Sequence, residues 1–220
     1  MEIRPDILPT DDGSYTLRHP VLGDTYHSTR GAVGEAEHVF ILNGFDRIEK
    51  PHIRLFEMGF GSGLNALLTL KRARERGKTV DYRAAELYPV DPKTAAQLNY
   101  TAENDPLRDA FLTMHASPWE TPVQIDSHFR LAKQQKSLPE IEFDTIFDVV
   151  YFDAFAPDTQ PELWTAEIFR KLYEQTAPGG ILVTYSAKGT VKEALRAAGY
   201  EVGRLPGALG KRHMLRAEKR

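Results

Sequence analysis

"FEMGFGSGLN", residues 56–65, decides the fold. It joins an apolar run, "HIRLFEMG" (52–59), to a helically spaced run, "LNALLTLKRARERG" (64–77), whose last turn is basic and which Gly77 stops. Glycines stand at 59, 61 and 63, the spacing G-x-G-x-G. A glycine-rich turn between strand and helix lets a ligand approach bare backbone, with N–H groups and the helix N-terminus facing it. A phosphate-gripping P-loop needs Lys and Ser/Thr after its last glycine, and here Leu64 and Asn65 follow Gly63. A dinucleotide loop needs G-x-G-x-x-G, which is also absent here. Glu57, two residues before the first glycine, suits an S-adenosylmethionine binder. A tight turn with no ligand is the competing reading.

Outward from this loop the pattern alternates. "TVDYRAAEL" (79–87) reads as a second strand ending at Glu86, where an acid can accept both ribose hydroxyls. "DPKTAAQLNYTAEN" (91–104) opens a helix with Asp91 as N-cap and Pro92 at the first position, and "DPLRDAFLTMH" (105–115) repeats that device. Residues 116–142 are poorly patterned, with "FRLAK" (129–133) as a short strand. "FDVVYFDAF" (147–155) reads as a central strand ending in an acid, Asp153. Then come a helix in 161–176, a turn "APGG" (177–180), a strand "ILVTYS" (181–186), a helix "TVKEALRAAG" (190–199) and two closing strands, "YEVGRLP" and "HMLRAE". Repeated strand–helix units predict a mostly parallel sheet with helices on both faces. Residues 1–50, with the alternating runs "SYTLRH" and "HVFILNGF" between turn signals, predict a small β-rich N-terminal extension on a Rossmann-like core of 51–220. One domain over 1–220 is expected.

The 220 residues suffice for one substantial core; 41 % are apolar and 27 % charged, as in a globular protein. There is no run long and apolar enough to cross a membrane, and the acidic, proline-broken start is unlike a signal peptide. Without cysteine there is no disulfide framework or thiolate zinc site, and the seven histidines lack metal-ligand spacing. A cytoplasmic protein without a metal is the expectation. Net charge is −3, yet Lys188 to Arg220 hold nine Lys/Arg against three Glu, an anion-binding face or a solvated surface.

"DAFAP" (153–157) combines a carboxylate, two small residues, an aromatic and a proline, a stiff loop able to hold a planar substrate over a cofactor. Phe155, Trp164 and Tyr185 are candidate stacking platforms or core residues, and His38 is a candidate site histidine or a structural one. "GALGKR" (207–212) reads as a loop between the last two strands.

"EMGFGSGLN", "FDVVYFDAFAPDTQPELWT", "APGGILVTYSAKGTVKEALRAAGYEV" and "GKRHML" together resemble the methyltransferase of the MnmC family, over about Tyr26 to Leu215. The resemblance implies a class I S-adenosylmethionine-dependent methyltransferase fold with a seven-stranded sheet. It implies methylation of 5-aminomethyl-2-thiouridine to 5-methylaminomethyl-2-thiouridine at the wobble position of tRNA. Many relatives carry a second, FAD-dependent oxidase domain, so this chain resembles the stand-alone, MnmD-like form and a separate enzyme is expected to supply the amine. The site implied has Asp153 as catalytic residue. Glu57, Gly59, Phe60, Gly61, Gly63, Leu64, Asn65, Glu86, Leu87 and Asp153 are the expected cofactor contacts. Phe155, Tyr185, Lys188, Lys211 and Arg212 are the expected contacts to the tRNA anticodon loop. Relatives carry an acid after the third strand, near the adenine, where this chain has Lys133 and Gln134. Rival readings are a small-amine methyltransferase, an aminopropyltransferase, a non-catalytic cofactor-binding module and, at greater distance, a dinucleotide oxidoreductase.

Overall fold

The computed structural model describes residues 4–220, so the first three positions of the expected extension lie outside it. In chain order the elements are β1 (Asp6–Pro9), β2 (Tyr15–Arg18), α1 (Ala32–Ala36), β3 (His52–Met58), α2 (Leu64–Arg76), β4 (Thr79–Ala85), α3 (Pro92–Ala95), α4 (Arg108–Ala116), β5 (Val123–Asp126), β6 (Phe129–Gln134), β7 (Phe147–Phe152), α5 (Ala166–Glu174), β8 (Thr176–Thr184), α6 (Gly189–Ala198), β9 (Glu201–Pro206) and β10 (His213–Glu218).

β7 is the central strand and all six of its residues are buried, Asp148 among them because its carboxylate accepts from Lys50 Nζ at 2.6 Å and from Arg54 N–H at 2.9 Å. Strands covered on both faces read as continuous apolar runs. Side chains still alternate. Val149 and Tyr151 join an apolar layer with Phe40, Leu64 and Leu68, while Val150 and Phe152 join Phe169, Leu172 and Leu195 on the other face. The sheet order is β5-β6-β4-β3-β7-β8-β10-β9. β6, β4, β3, β7 and β8 pair in parallel, whereas β10 pairs antiparallel with β8 and β9. The expected seven strands are all present. An eighth, β5, pairs antiparallel to β6 at the edge, in the stretch where the sequence is poorly patterned.

Local signals explain most boundaries. Asp91 accepts hydrogen bonds from the backbone N–H of Lys93 and Thr94 and caps α3, and Thr165 caps α5 through Ile168 N–H. The second Asp-Pro pair works differently. Asp105 accepts from Leu107 N–H at 2.8 Å in a turn, and α4 begins only at Arg108. "APGG" lies within β8 as an irregularity in its pairing with β7, and does not precede the strand. The extension also departs from expectation. "SYTLRH" supplies β2 in a two-stranded hairpin, but residues 37–42 form a π-helical turn and bury Val39, Phe40 and Ile41. A short apolar run does not distinguish a buried helix from a strand, and here contact with the sheet decides: Phe40 packs 5.2 Å from the Tyr151 ring.

The parallel strands β3, β4 and β7 end on the same sheet edge. That edge therefore gathers the glycine turn after β3, Glu86 after β4 and Asp153 after β7.

Candidate active site

Two loops define the floor. Asp153 N–H donates to the Met58 carbonyl at 2.9 Å, continuing the β3–β7 ladder into both turns. Gly59 has φ +90°, and a Cβ there would stand 2.5 Å from the Asp153 carbonyl oxygen, so only glycine lets the turns meet. Gly61 serves a different purpose: the Tyr26 ring of the extension lies where its side chain would project, 2.9 Å from the Cβ position.

The loop's donors are used inside the protein. Gly59 and Phe60 N–H donate to Ala85 O, Gly63 N–H to Phe60 O, and Gly61 N–H to Glu86 Oε2 at 3.0 Å. These four glycine-turn donors thus brace the turn, in contrast to the expectation that its N–H groups face a ligand. Glu86 also accepts from Tyr88 N–H at 2.9 Å. A carboxylate has about four acceptor sites, so Glu86 keeps capacity on its cavity side.

Above this floor is a cavity of about 270 Å³. Of the expected cofactor contacts, Gly59, Phe60, Gly61, Asn65, Glu86 and Leu87 line it together with Asp153. Glu57, Gly63 and Leu64 lie behind its wall. Of the expected substrate contacts, Phe155, Tyr185 and Lys211 line it. Lys188 lies outside, paired with Asp158, and Arg212 is exposed. Phe155 is held by two bonds: Gln160 Oε1 accepts its N–H at 3.1 Å, and its carbonyl accepts from Trp164 Nε1 at 2.9 Å. Trp164 is buried against Phe152 and acts as that anchor. His38 bonds Pro206 O, away from the cavity.

Asn65 connects the two acids at the back. Its Nδ2 donates to Glu57 Oε1 at 2.9 Å and to Asp153 Oδ2 at 2.8 Å. Burial pushes the Asp153 carboxyl up to about 8, with the Asn65 bond opposing, and burial pushes Glu57 well up. Asn65 Oδ1 is buried and has no hydrogen-bond partner among the described residues, whereas the Glu57 carboxyl is engaged by the Tyr82 hydroxyl behind the wall. An unpartnered buried polar atom and an acid-rich floor fit a ligand carrying positive charge and polar groups. S-adenosylmethionine, with a sulfonium and an ammonium, is such a ligand.

Sequence reasoning overlooked the part of the wall that comes from residues 24–35. Asp24, Tyr26, His27 and Glu35 all reach the cavity. Asp24 Oδ2 accepts from Thr159 Oγ1 at 2.9 Å, so the extension is fastened to the loop that follows Asp153. No motif marks these residues. Only the turn-rich composition of 10–31 hinted that a loop lies there.

Lys133 is explained by packing. Its Nζ donates to the carbonyls of Met114 and His115 at the end of α4 and lies over the rings of Trp119 and Phe60. Burial lowers it to about 8. It braces the far side of Phe60.

Ser62 is clamped by two buried histidines, His27 Nε2 to its Oγ at 2.8 Å and His115 Nε2 to its carbonyl at 3.1 Å. Burial depresses both to about 4. A histidine depressed in the folded state stabilises fully above its unfolded value near 6.5, and that stability is lost as pH falls towards 4. His115→Gln keeps an amide at the Nε2 position and removes the titration. The stability advantage of the wild type over this variant should shrink by about 3 kcal/mol between pH 7 and pH 4, read by urea unfolding. A constant difference would mean that His115 is solvated in the folded state.

A family profile of S-adenosyl-L-methionine-dependent methyltransferases matches residues 92–220. The chain belongs to that family. Within it, the methyltransferase resembles bifunctional proteins named for tRNA 5-methylaminomethyl-2-thiouridine biosynthesis, MnmC. It is 31 % identical to the one from Ralstonia nicotianae over 94 % of this chain and 33 % of that protein. It is 33 % identical to the one from Azoarcus sp. over 98 % of this chain and 36 % of that protein. The chain thus spans about a third of the length of these curated relatives. A crystal structure of MNMC2 from Aquifex aeolicus superposes with a TM-score of 0.81 at 26 % identity, covering 99 % of this chain and 71 % of that one. DesVI of Streptomyces venezuelae, at 13 % identity and a TM-score of 0.51, shares the fold alone. S-adenosyl-L-methionine is accordingly the methyl donor of this methyltransferase. Among its described residues no helix is long and apolar enough to cross a membrane.

Proposed function

We propose that this chain N-methylates an alkylamine, the 5-aminomethyl group of 2-thiouridine at the wobble position of tRNA, with a separate activity supplying that amine in the cytoplasm. The observation that carries the reading is Asp153: a carboxylate at the cavity floor, aimed by Asn65, where Glu35, Glu86 and Asp24 add negative charge around it. Such a site attracts a cationic amine and repels a carboxylated one.

When bound, S-adenosylmethionine supplies a methyl on a positive sulfur; the new N–C bond forms as the C–S bond breaks, and sulfur keeps that electron pair. Glu86 and Leu87 are positioned to hold the adenosine beside Gly61, whose missing side chain makes room for the Tyr26 ring. Asn65 offers its amide to the amino-acid end, held from behind by Glu57. The chain's remaining task concerns a proton. A free alkylamine has a pKa near 10.4, so about one molecule in a few thousand has a free lone pair at pH 7, a barrier of roughly 4–5 kcal/mol. Asp153, held up to about 8 in the ligand-free site, ionises against the arriving ammonium; its carboxylate then accepts a hydrogen bond from the nitrogen, aims the lone pair and is available to take the departing proton. Phe155 presents an aromatic ring beside the amine. A wobble base is unpaired and can be splayed into such a cavity.

Nucleoside analysis of tRNA from a strain lacking this chain tests the reading. Accumulation of 5-aminomethyl-2-thiouridine is expected. An unchanged profile, with methylation of free amines by the purified protein, would replace tRNA by a small-amine substrate.

Phosphate contacts are proposed for the basic C-terminal part, with Arg212 exposed next to Lys211 in the chain. The affinity for tRNA should then fall steeply between 50 and 200 mM salt, and Arg212→Ala should reduce the log–log slope by about 1. A salt-independent affinity measured by filter binding would remove this face from the interface.

A further inference from the structure

Lys211 is the one lysine or arginine among the residues that line the cavity, and it faces mostly acids. Its Nζ pairs with Glu35 and lies 5.2 Å from the centre of the Tyr185 ring. The pair is a fixed one. Glu35 is 5 % exposed, and its other oxygen accepts from Ser28 N–H at 2.9 Å. The Lys211 loop is held in place as well: Lys211 N–H donates to Ala208 O, and Arg30 Nη1 reaches Leu209 O at 3.4 Å. A solvated phosphate-binding lysine would be free to swing, whereas this ammonium is anchored to a buried carboxylate at the wall of the site.

From this geometry we infer that Lys211, positioned by Glu35, places a fixed positive charge beside the bound amine and so favours its neutral, nucleophilic form. The inference rests on the amine-methylation reading. A like charge nearby disfavours protonation of the amine. Asp153 attracts the cationic amine; Lys211 opposes its protonation once it has arrived. The two charges divide capture from activation.

The charged and titratable groups facing the pair are Asp153 from the β7 loop, Tyr185 after β8, and His27 and Asp24 from the extension. Arg30 reaches Leu209 O in the Lys211 loop, Arg212 is exposed, and Asp12 holds Gly34 N–H in α1. Burial keeps His27 neutral down to about pH 4 and keeps Tyr185 protonated well above its usual range. Between pH 6 and 9 the groups near the pair that change are therefore Asp153 and the amine itself.

The sign of the effect makes the test. In Lys211→Met the amine loses its repelling charge, so the acidic limb of the kcat–pH profile should move to higher pH by about one unit, and the same shift in an Asp153→Asn background assigns it to the amine and not to Asp153, whose carboxyl Lys211 also holds down. In Glu35→Gln the lysine is left uncompensated, so the limb should move to lower pH. The double variant should return close to the wild type, and Lys211→Arg should leave the limb in place. A role limited to tying the loop down changes KM or melting temperature in both single variants with unmoved limbs, and that result overturns the inference. A measurement on the unmodified protein stands beside these. Calorimetry of an anticodon stem-loop carrying the amine, with S-adenosylhomocysteine in the cofactor site, is run in two buffers of different ionisation enthalpy. Release of close to one proton per stem-loop bound at pH 7 is expected, and it should persist in Asp153→Asn, where the carboxyl cannot be its source; no release, or release lost in that variant, overturns the inference. Wild-type protein that methylates no amine at all would instead remove the parent reading, a result distinguishable from unmoved limbs.

Discussion

Asp153→Asn is expected to lower turnover by about 10³-fold while leaving S-adenosylmethionine affinity within a few-fold of the wild type. The variant is close to isosteric. Its amide oxygen can still accept from Asn65 Nδ2, now 2.8 Å from the carboxylate, so the Glu57–Asn65 arrangement should persist. What disappears is the group that ionises against the ammonium and the acceptor that takes its proton. The same substitution should stabilise the protein without ligand. Asp153 is raised in the folded state to about 8 from a usual value of 3.8. The folded state therefore binds the proton more tightly than the unfolded one. Stability from this group is present below about 4 and is lost as pH rises through 8. The melting temperature of the variant should accordingly exceed that of the wild type by several degrees at pH 8, and the gap should close near pH 4. Single-turnover methylation at near wild-type rate would remove Asp153 from the chemistry. A variant less stable than the wild type at pH 8 would show that the carboxylate is well solvated in the folded protein.

The second large effect concerns backbone alone. Gly59→Ala should lower stability by about 2–4 kcal/mol and weaken S-adenosylhomocysteine binding at least about 100-fold. The added methyl stands 2.5 Å from the Asp153 carbonyl oxygen, at φ +90°, so neither a rotamer change nor a side-chain shift relieves it. The turn after β3 must move away from the turn after β7, and both walls of the cavity move with it. Gly77→Ala is the control. It shares a positive φ, +62°, but nothing lies within 4 Å of its Cβ. It should lose about 1 kcal/mol and no affinity. Equal losses of affinity in the two variants, measured by calorimetry, would show that conformational strain and not the contact between the two turns controls the site.

The comparison of residues 59 and 77 also shows what kind of information a sequence carries. Both glycines are legible as turn residues, one before a helix and one after it. That Gly59 touches residue 153 is a relation across the sheet, and no local pattern encodes it. Glu35 and Lys211 are the stronger case. Lys211 reads as part of a basic run, a phosphate contact or a solvated surface, and Glu35 draws no reading of its own within an extension expected to be β-rich. Their pairing joins positions 176 apart in the chain and turns an expected phosphate contact into a wall of the cavity. Residues 38–45 failed for a different reason, since a short apolar run is equally suited to a strand and to a buried turn of helix until its neighbours are known.

The chain's own sequence determined the strand–turn–helix with its three spaced glycines, the parallel core and the acids that end β4 and β7, because hydrophobic period, capping residues and glycine placement act within a few positions of themselves. Only the tertiary structure decided that the extension closes the cavity, that the turn's amides brace the protein instead of facing a ligand, and that Lys211 is held by a buried acid. Those outcomes depend on burial and on charges brought together from distant positions, and both act through space at ranges that spacing along the chain does not record.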